Sequence, residues 1–334
     1  MLIPPRIAAL ACWSTLGLLL ACRSSSGGPA GSASTPCGDY FDAINANPCG
    51  TGPTLPDAET ARLRSRFEQV CASYTTLPGS QITGEDIESC AAAIQAGGCA
   101  AEGTTPEVCN VLGTLPAGGA CNENFQCQSG VCFQTATVGE AGPALDDCGK
   151  CQMVPGVGQS CTTNCAPGAA CDTSMTPPTC VAVTQVAAGA TCNGTTTVCG
   201  AGFYCDSGGT CAALLATGQA CGSNGPCAPP ATCLGQTCQA PGATGAACGL
   251  DSDCAAGLGC GVGSMTCGPV VWASAGQPCG DLTRCLVGSC NYPMCPSVIG
   301  DGQACSPDDA SSTCDTFSQC TGGACVLDDS AACL

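Results

Sequence analysis

Residues 248–267 read CGLDSDCAAGLGCGVGSMTC, four cysteines (Cys248, Cys254, Cys260, Cys267) separated by five, five and six residues. Residues 221–238 repeat the plan as CGSNGPCAPPATCLGQTC, with Cys221, Cys227, Cys233 and Cys238. Working outward, the same unit starts at Cys121, Cys161, Cys192, Cys221, Cys248, Cys279 and Cys305, with start-to-start spacings of 40, 31, 29, 27, 31 and 26 residues. A glycine stands three residues before each first cysteine: Gly118, Gly158, Gly189, Gly218, Gly245, Gly276 and Gly302. Self-similarity at a period near thirty residues marks a repeat array, read here as seven modules over residues 116–334. The first module carries an insert after Cys132 and five cysteines, including Cys148 and Cys151; the last carries a trailing Cys333. These two extra cysteines could pair with each other only if the chain folds back.

Each module is too small to bury an apolar core, so cross-links must supply its stability. Four cysteines allow three connectivities. The expectation taken here is first to third and second to fourth, which interlocks two loops of about a dozen residues, each worth about 3 kcal/mol. Between bridges the segments are short and glycine-bearing, as at Pro167-Gly168, Ser207-Gly208-Gly209 and Gly322-Gly323. They predict two-stranded hairpins and almost no helix. Contacts between modules are expected to be nearest-neighbour, giving an extended array.

Composition agrees. The 334 residues include 38 cysteines, yet only six Phe, four Tyr and two Trp. Such cysteine usage belongs in an oxidising compartment. With 7 Lys and Arg against 25 Asp and Glu, the net charge is −18. That balance excludes nucleic acid as a partner, because phosphates need a basic patch. It also argues against electrostatic docking on anionic lipid. The chain has no histidine, which removes Ser-His-Asp and Cys-His catalysis and the usual zinc ligand set. No phosphate-binding loop, dinucleotide fingerprint or nucleophile elbow occurs. No catalytic residue, cofactor or metal site is expected.

Residues 1–21 have the form of an export signal: Arg6, then an apolar run too short for a comfortable membrane span. The run ends Leu19-Leu20-Ala21-Cys22, which resembles the bacterial lipobox. The resemblance implies cleavage before Cys22, lipid on its thiol and acylation of the new amine, and more than one acyl chain is what stable anchoring requires. Of the 38 cysteines, loss of Cys12 and modification of Cys22 leaves an even 36, as a fully paired framework needs. Residues 22–36 are rich in Ser, Gly, Ala and Pro and read as a flexible tether.

Residues 37–115 differ from the array. Leu63, Phe67, Val70, Cys71 and Tyr74 fall on one helical face, with Pro56-Asp57 before them and Pro78-Gly79 after. Thr83 and Asp86 have capping-box spacing ahead of Ile87, Cys90, Ala91 and Ile94, and Gly97-Gly98 stops that helix. Shorter helical turns are expected at residues 40–44 and 108–112. The six cysteines here (37, 49, 71, 90, 99, 109) allow fifteen connectivities and the spacing selects none. Arg62, Arg64 and Arg66 alternate along the first helix; a solvated face is the expectation, and a basic binding face the alternative. The fold class is therefore small and disulfide-rich: tandem short β-hairpin modules with little helix, preceded by a small disulfide-stapled α-helical unit.

The pattern C-x2-DSDC-x2-GL-x-C at Cys248 to Cys260 resembles the Dickkopf N-terminal cysteine-rich and EB-type modules, with Asp251, Asp253 and the glycines as the matching positions. The array also looks like that of tandem cysteine-rich lipoproteins of high-GC bacteria such as myxobacteria. The Dickkopf-type modules imply receptor binding in animals, but fold analogy does not transfer a partner.

Four further features have bland readings. Cys148-Gly-Lys-Cys151 is a C-x-x-C without the βαβ context of a redox pair. The Asp pairs at 146–147, 308–309 and 328–329 lack the spaced ligands of a calcium loop. Asn193-Gly-Thr195 is a glycosylation sequon, incidental in a bacterial lipoprotein. The insert over residues 133–147 is the one candidate for a variable binding loop. The expectation is a protein of the cell envelope (outer membrane or cell surface), anchored by lipid at the membrane, meeting a protein or envelope polymer through its array. A secreted inhibitor or receptor-binding ligand is the alternative, and an enzyme the third reading.

Overall fold

The computed structural model describes residues 35–46, 49–101, 106–133, 136–139, 142–145, 149–162, 164–290, 293–306, 309 and 311–327. The export signal, Cys22 and almost all of the tether lie outside these residues. So do Cys148 and Cys333, and with them the pairing suggested above. The chain divides into two compact units. One holds residues up to Ala46 with Cys71–Thr184; the other holds Asn47–Val70 with Gln185–Asp329. No helix among the described residues is long and apolar enough to cross a membrane.

Among the described residues the α-helices are α1 (Pro36–Asn45), α2 (Asp57–Tyr74) and α3 (Gly84–Gly97). Helix α1 is longer than the turn read from the sequence. The Thr35 hydroxyl accepts from the Gly38 N–H (3.0 Å) and Pro36 opens the first turn, so a residue assigned to the tether starts a helix. At α3 the capping box forms: the Asp86 N–H donates to the Thr83 hydroxyl and the Thr83 N–H donates to the Asp86 carboxylate. The turn expected over residues 108–112 is instead a single 3-10 turn, Glu107–Cys109. Helix α1 packs on α3, and Cys90, Ala93 and Cys109 form a buried cluster with Tyr40 and Ile94 against it. Burial pushes the Tyr40 phenol up to about 12. Cys37 bonds Cys71 and Cys90 bonds Cys109, while Cys49 and Cys99 are also disulfide-bonded.

All seven array modules pair first to third and second to fourth. In the defining copy Cys248 bonds Cys260 and Cys254 bonds Cys267; in the fourth module Cys221 bonds Cys233 and Cys227 bonds Cys238. The first module takes Cys151, not Cys148, as its fourth cysteine, through Cys127. In six modules the third and fourth cysteines face each other across an antiparallel strand pair, as in Cys233↔Cys238 and Cys260↔Cys267. Opposed residues share one face of the pair. Both sulfurs therefore point to the same side, one reaching the first cysteine and the other the second. The Gly322-Gly323 turn of the last hairpin has φ of 61° and 83°, the two left-handed positions of a type I′ turn.

The glycine before each module has one job. In every copy its φ lies between 71° and 88°, and the next residue's N–H donates to the carbonyl three positions back, as from Gln219 to Ala216. That is a type II turn with glycine at its third position. The same glycine's N–H donates to the carbonyl of the fourth cysteine, as from Gly245 to Cys267 (2.8 Å), and this bond recurs in all seven modules. The fourth cysteine's N–H returns a bond to the residue after the glycine, for instance Cys267 to Ala246 (2.8 Å). The turn thus clamps the module's last strand to its entrance.

The linker entering a module runs parallel to the segment that ends at its second cysteine: Val271–Ala273 beside Thr283–Cys285, Ser297–Ile299 beside Ser312–Cys314, and single bridges at Leu115, Leu215 and Gly242. Neighbouring modules are joined by backbone ladder as well as by covalent chain. In the first module the insert forms its own hairpin, Ala136–Gly139 with Gly142–Leu145.

Candidate interaction surface

The two acids of the defining motif are both spent inside the chain. Asp253 is buried (4% exposed), and its carboxylate accepts from the Gly249 and Leu250 N–H groups at 2.8 and 2.9 Å. Burial by itself would raise its pKa, but these donors outweigh it and hold the carboxyl below the usual range. Gln126 occupies the same place in the first module, accepting from Asn122 and Glu123 while its amide donates to the Pro78 carbonyl. Asp251 faces the next module. It accepts from the Cys260 N–H (2.7 Å) and pairs with the guanidinium of Arg284, which also donates to the Cys260 carbonyl (2.9 Å). From the sixth module Asp281 also reaches back, accepting from Gly263 and Ser264. These donors hold its carboxyl below the ordinary range.

The alternating arginines of α2 form neither a solvated face nor a free basic one. Arg62 pairs with Glu59 one turn before it and with Asp315 of the seventh module (2.7 Å). The bond to Glu59, then that to Asp315, stabilises its charge. Arg66 donates to Asp301 (3.1 Å), to the Thr316 carbonyl (2.8 Å) and to the Ser318 hydroxyl. The Arg66 bond holds the Asp301 carboxyl below the usual range, and Ser318 adds to it. Arg64 pairs with Glu68. Phe67, 1% exposed, meets the Phe317 ring edge-on with centroids 5.9 Å apart. The reason for the departure is arithmetic: acids outnumber cations 25 to 7. All four arginines among the described residues sit on carboxylates.

Upstream of α2 the same segment lies along the fifth and sixth modules. Thr51 bridges Ala255, the Gly52 N–H donates to the Cys254 carbonyl (2.9 Å) and the Gly257 N–H donates to the Gly52 carbonyl (2.9 Å). The Trp272 indole N–H donates to the Thr54 carbonyl (2.9 Å). Residues 51–67 therefore form a strap across modules five to seven, joining positions about 200 to 250 apart in sequence. Among the described residues, Tyr204 of the third module donates to the Asn224 carbonyl of the fourth (2.6 Å), a contact between neighbours. Sequence reasoning missed Trp272, Arg284, Asp301 and Asp315. The usable signal was the scarcity of cations, which forces each arginine into a pair.

The remaining candidates resolve locally. Cys151 bonds Cys127, so Cys148-Gly-Lys-Cys151 is not closed on itself. Cysteine sulfurs of a module cluster within 4.8 Å, but all are bridged and offer no thiolate to a metal. Asp309 accepts from Ser311 and Ser312, which lowers its pKa, while Asp146, Asp147, Asp308, Asp328 and Asp329 lie outside the described residues. The Asn193 side chain is consumed in its own turn, accepting from three backbone N–H groups and donating to Thr196. An open cleft lies between Tyr204, Asp206, Asn224 and Pro226, but its one acid accepts from Gly208 and Thr210. No protein-family model, curated protein or solved structure matches this chain.

Proposed function

We propose that the chain is a lipid-anchored cell-envelope protein whose extended cysteine-rich array serves a structural, adhesive or ligand-binding role. The observation that carries this reading is the form of the array: seven modules, each held by its own two interlocked bridges. Such modules keep their shape outside the cell, where bridges persist. Leu19 to Cys22 supports the anchor, and the acidic charge supports solubility at a surface. The finer reading of the modules is as Dickkopf-type or EB-type repeats from a bacterial lipoprotein. The absence of histidine from the sequence supports a role without catalysis. The partner is a protein or an envelope polymer.

Metabolic labelling with a fatty-acid analogue in the native host tests the anchor. Label is expected on the wild-type chain and lost in Cys22→Ser; equal label on both would contradict it. Capture from intact cells tests the role. Recovery of envelope components supports it, whereas recovery of a soluble receptor or protease would favour the inhibitor reading, for which the hairpin in the first module's insert is the candidate contact.

A further inference from the structure

We infer that modules five to seven form a receptor groove for an extended-then-helical, arginine-bearing segment, and that the 50–67 segment of a second copy of this chain can occupy it. The groove has three separable recognition elements. The first is the backbone edge from Cys254 to Gly257, which takes Thr51 and Gly52 as an added strand; this is how sheet edges accept extended peptides generally. The second is the Trp272 indole, which fixes the carbonyl of Thr54. The third is the acidic pair Asp301 and Asp315, which reads Arg62 and Arg66, four residues and so about one helical turn apart. Phe317 closes the end against Phe67.

Every one of these contacts is non-covalent. The segment is bounded by cysteines that are bridged without it: Cys71 bonds Cys37, and Cys49 is also disulfide-bonded. Releasing residues 50–67 from the groove breaks no disulfide and opens no module. Arg62, Arg66 and the buried Phe67 leave together, and the second copy's groove takes up the same two charges and the same ring. Each copy carries both the segment and the groove. Exchange between two copies therefore reproduces the same contacts and closes into a dimer. The commitment is to a second copy because the sequence the groove fits is this chain's own.

Complementary variants of the full-length oxidised chain test this. One chain carries Asp301→Asn and Asp315→Asn, leaving an intact segment over a weakened groove. The other carries Arg62→Gln and Arg66→Gln, leaving an intact groove under a weakened segment. Mixed, they should form a 1:1 complex by size-exclusion chromatography with light scattering, while each alone stays monomeric. A labelled peptide of residues 50–70 should bind the Arg62→Gln/Arg66→Gln chain about ten-fold more tightly than wild type, whose own segment competes. The same peptide with both arginines changed to Gln should lose that binding. Failure of the variants to associate would overturn the second-copy occupant. Absence of saturable peptide binding, or binding indifferent to the arginines, would overturn the groove itself.

Discussion

The helical region and the array solve the same stability problem with different materials. Around the helices the buried residues include Phe41, Leu77, Ile82 and Ile87 in one unit and Phe67 and Val70 in the other, large side chains of an ordinary kind. In the modules the buried apolar residues are cysteines with Ala231 and Ala273. Bridges also staple the helices, but there they supplement packing. In the modules they replace it. The modules lose little by this, because a thirty-residue segment has no interior for large side chains to fill. The difference teaches that the cysteine spacing sets the module fold, while hydrophobic periodicity sets the helices.

Reduction should break the comparison most sharply. Each module loses two loops worth about 3 kcal/mol apiece. Hydrogen exchange under denaturant-free reducing conditions is expected to show the modules fully exchanged while α2 and α3 keep partial protection. Equal loss in both regions would mean that the helices too depend wholly on their bridges.

A polar substitution should separate the regions next. Asp253→Ala leaves the Gly249 and Leu250 N–H groups without their acceptor and is expected to cost about 1–3 kcal/mol. The loss should appear as faster exchange confined to the fifth module. Asp253→Asn, which retains an acceptor oxygen, should recover part of it.

The turn glycines come third. Gly245 has φ of 87° and open space where a Cβ would stand, so Gly245→Ala carries only the conformational cost, about 1–2 kcal/mol. Gly113 is a different case: an added Cβ would stand 2.1 Å from the Gln126 backbone, where the chain enters the first module. Gly113→Ala is expected to exceed Gly245→Ala when both are followed by proteolytic susceptibility in native buffer.

The smallest effect is electrostatic. The Asp253 and Asp301 carboxyls titrate below their ordinary value of 3.8 in the folded chain. Their stabilisation is therefore complete above that value and is lost as pH falls through the lower folded values. The strap should loosen below pH 4 and, because Asp301 is partly exposed, also with salt. Exchange rates in α2 against those in modules two to four, measured across pH 2.5–6, check this; the modules without arginine contacts should not follow the strap.

Much of this fold was legible. The cysteine spacing marked the modules, the recurring glycine marked where each begins, and the 3.6-residue period placed α2 and α3; of the three possible pairings the interlocked one was an expectation that spacing alone did not select. Each is a local signal, repeated within about thirty residues. The parallel linker strands were not legible, because three-residue pairings carry no hydrophobic alternation. The strap was not legible either. Arg62 and Asp315 are 253 positions apart, and nothing in either neighbourhood names the other. Thr35 was hidden by its setting, since a capping Thr before Pro36 looks like the end of a Ser-rich tether.

The central claim is that every module is closed by its own two bridges. Peptic digestion of the oxidised chain at low pH, where thiolate exchange is suppressed, followed by mass spectrometry of the linked fragments, tests it directly. Cys248 linked to Cys260 and Cys254 to Cys267, the same alternation in the other six modules, and no free thiol within them are the expected result. Bridges between modules, adjacent pairings such as Cys248 with Cys254, or free thiols within a module would contradict it.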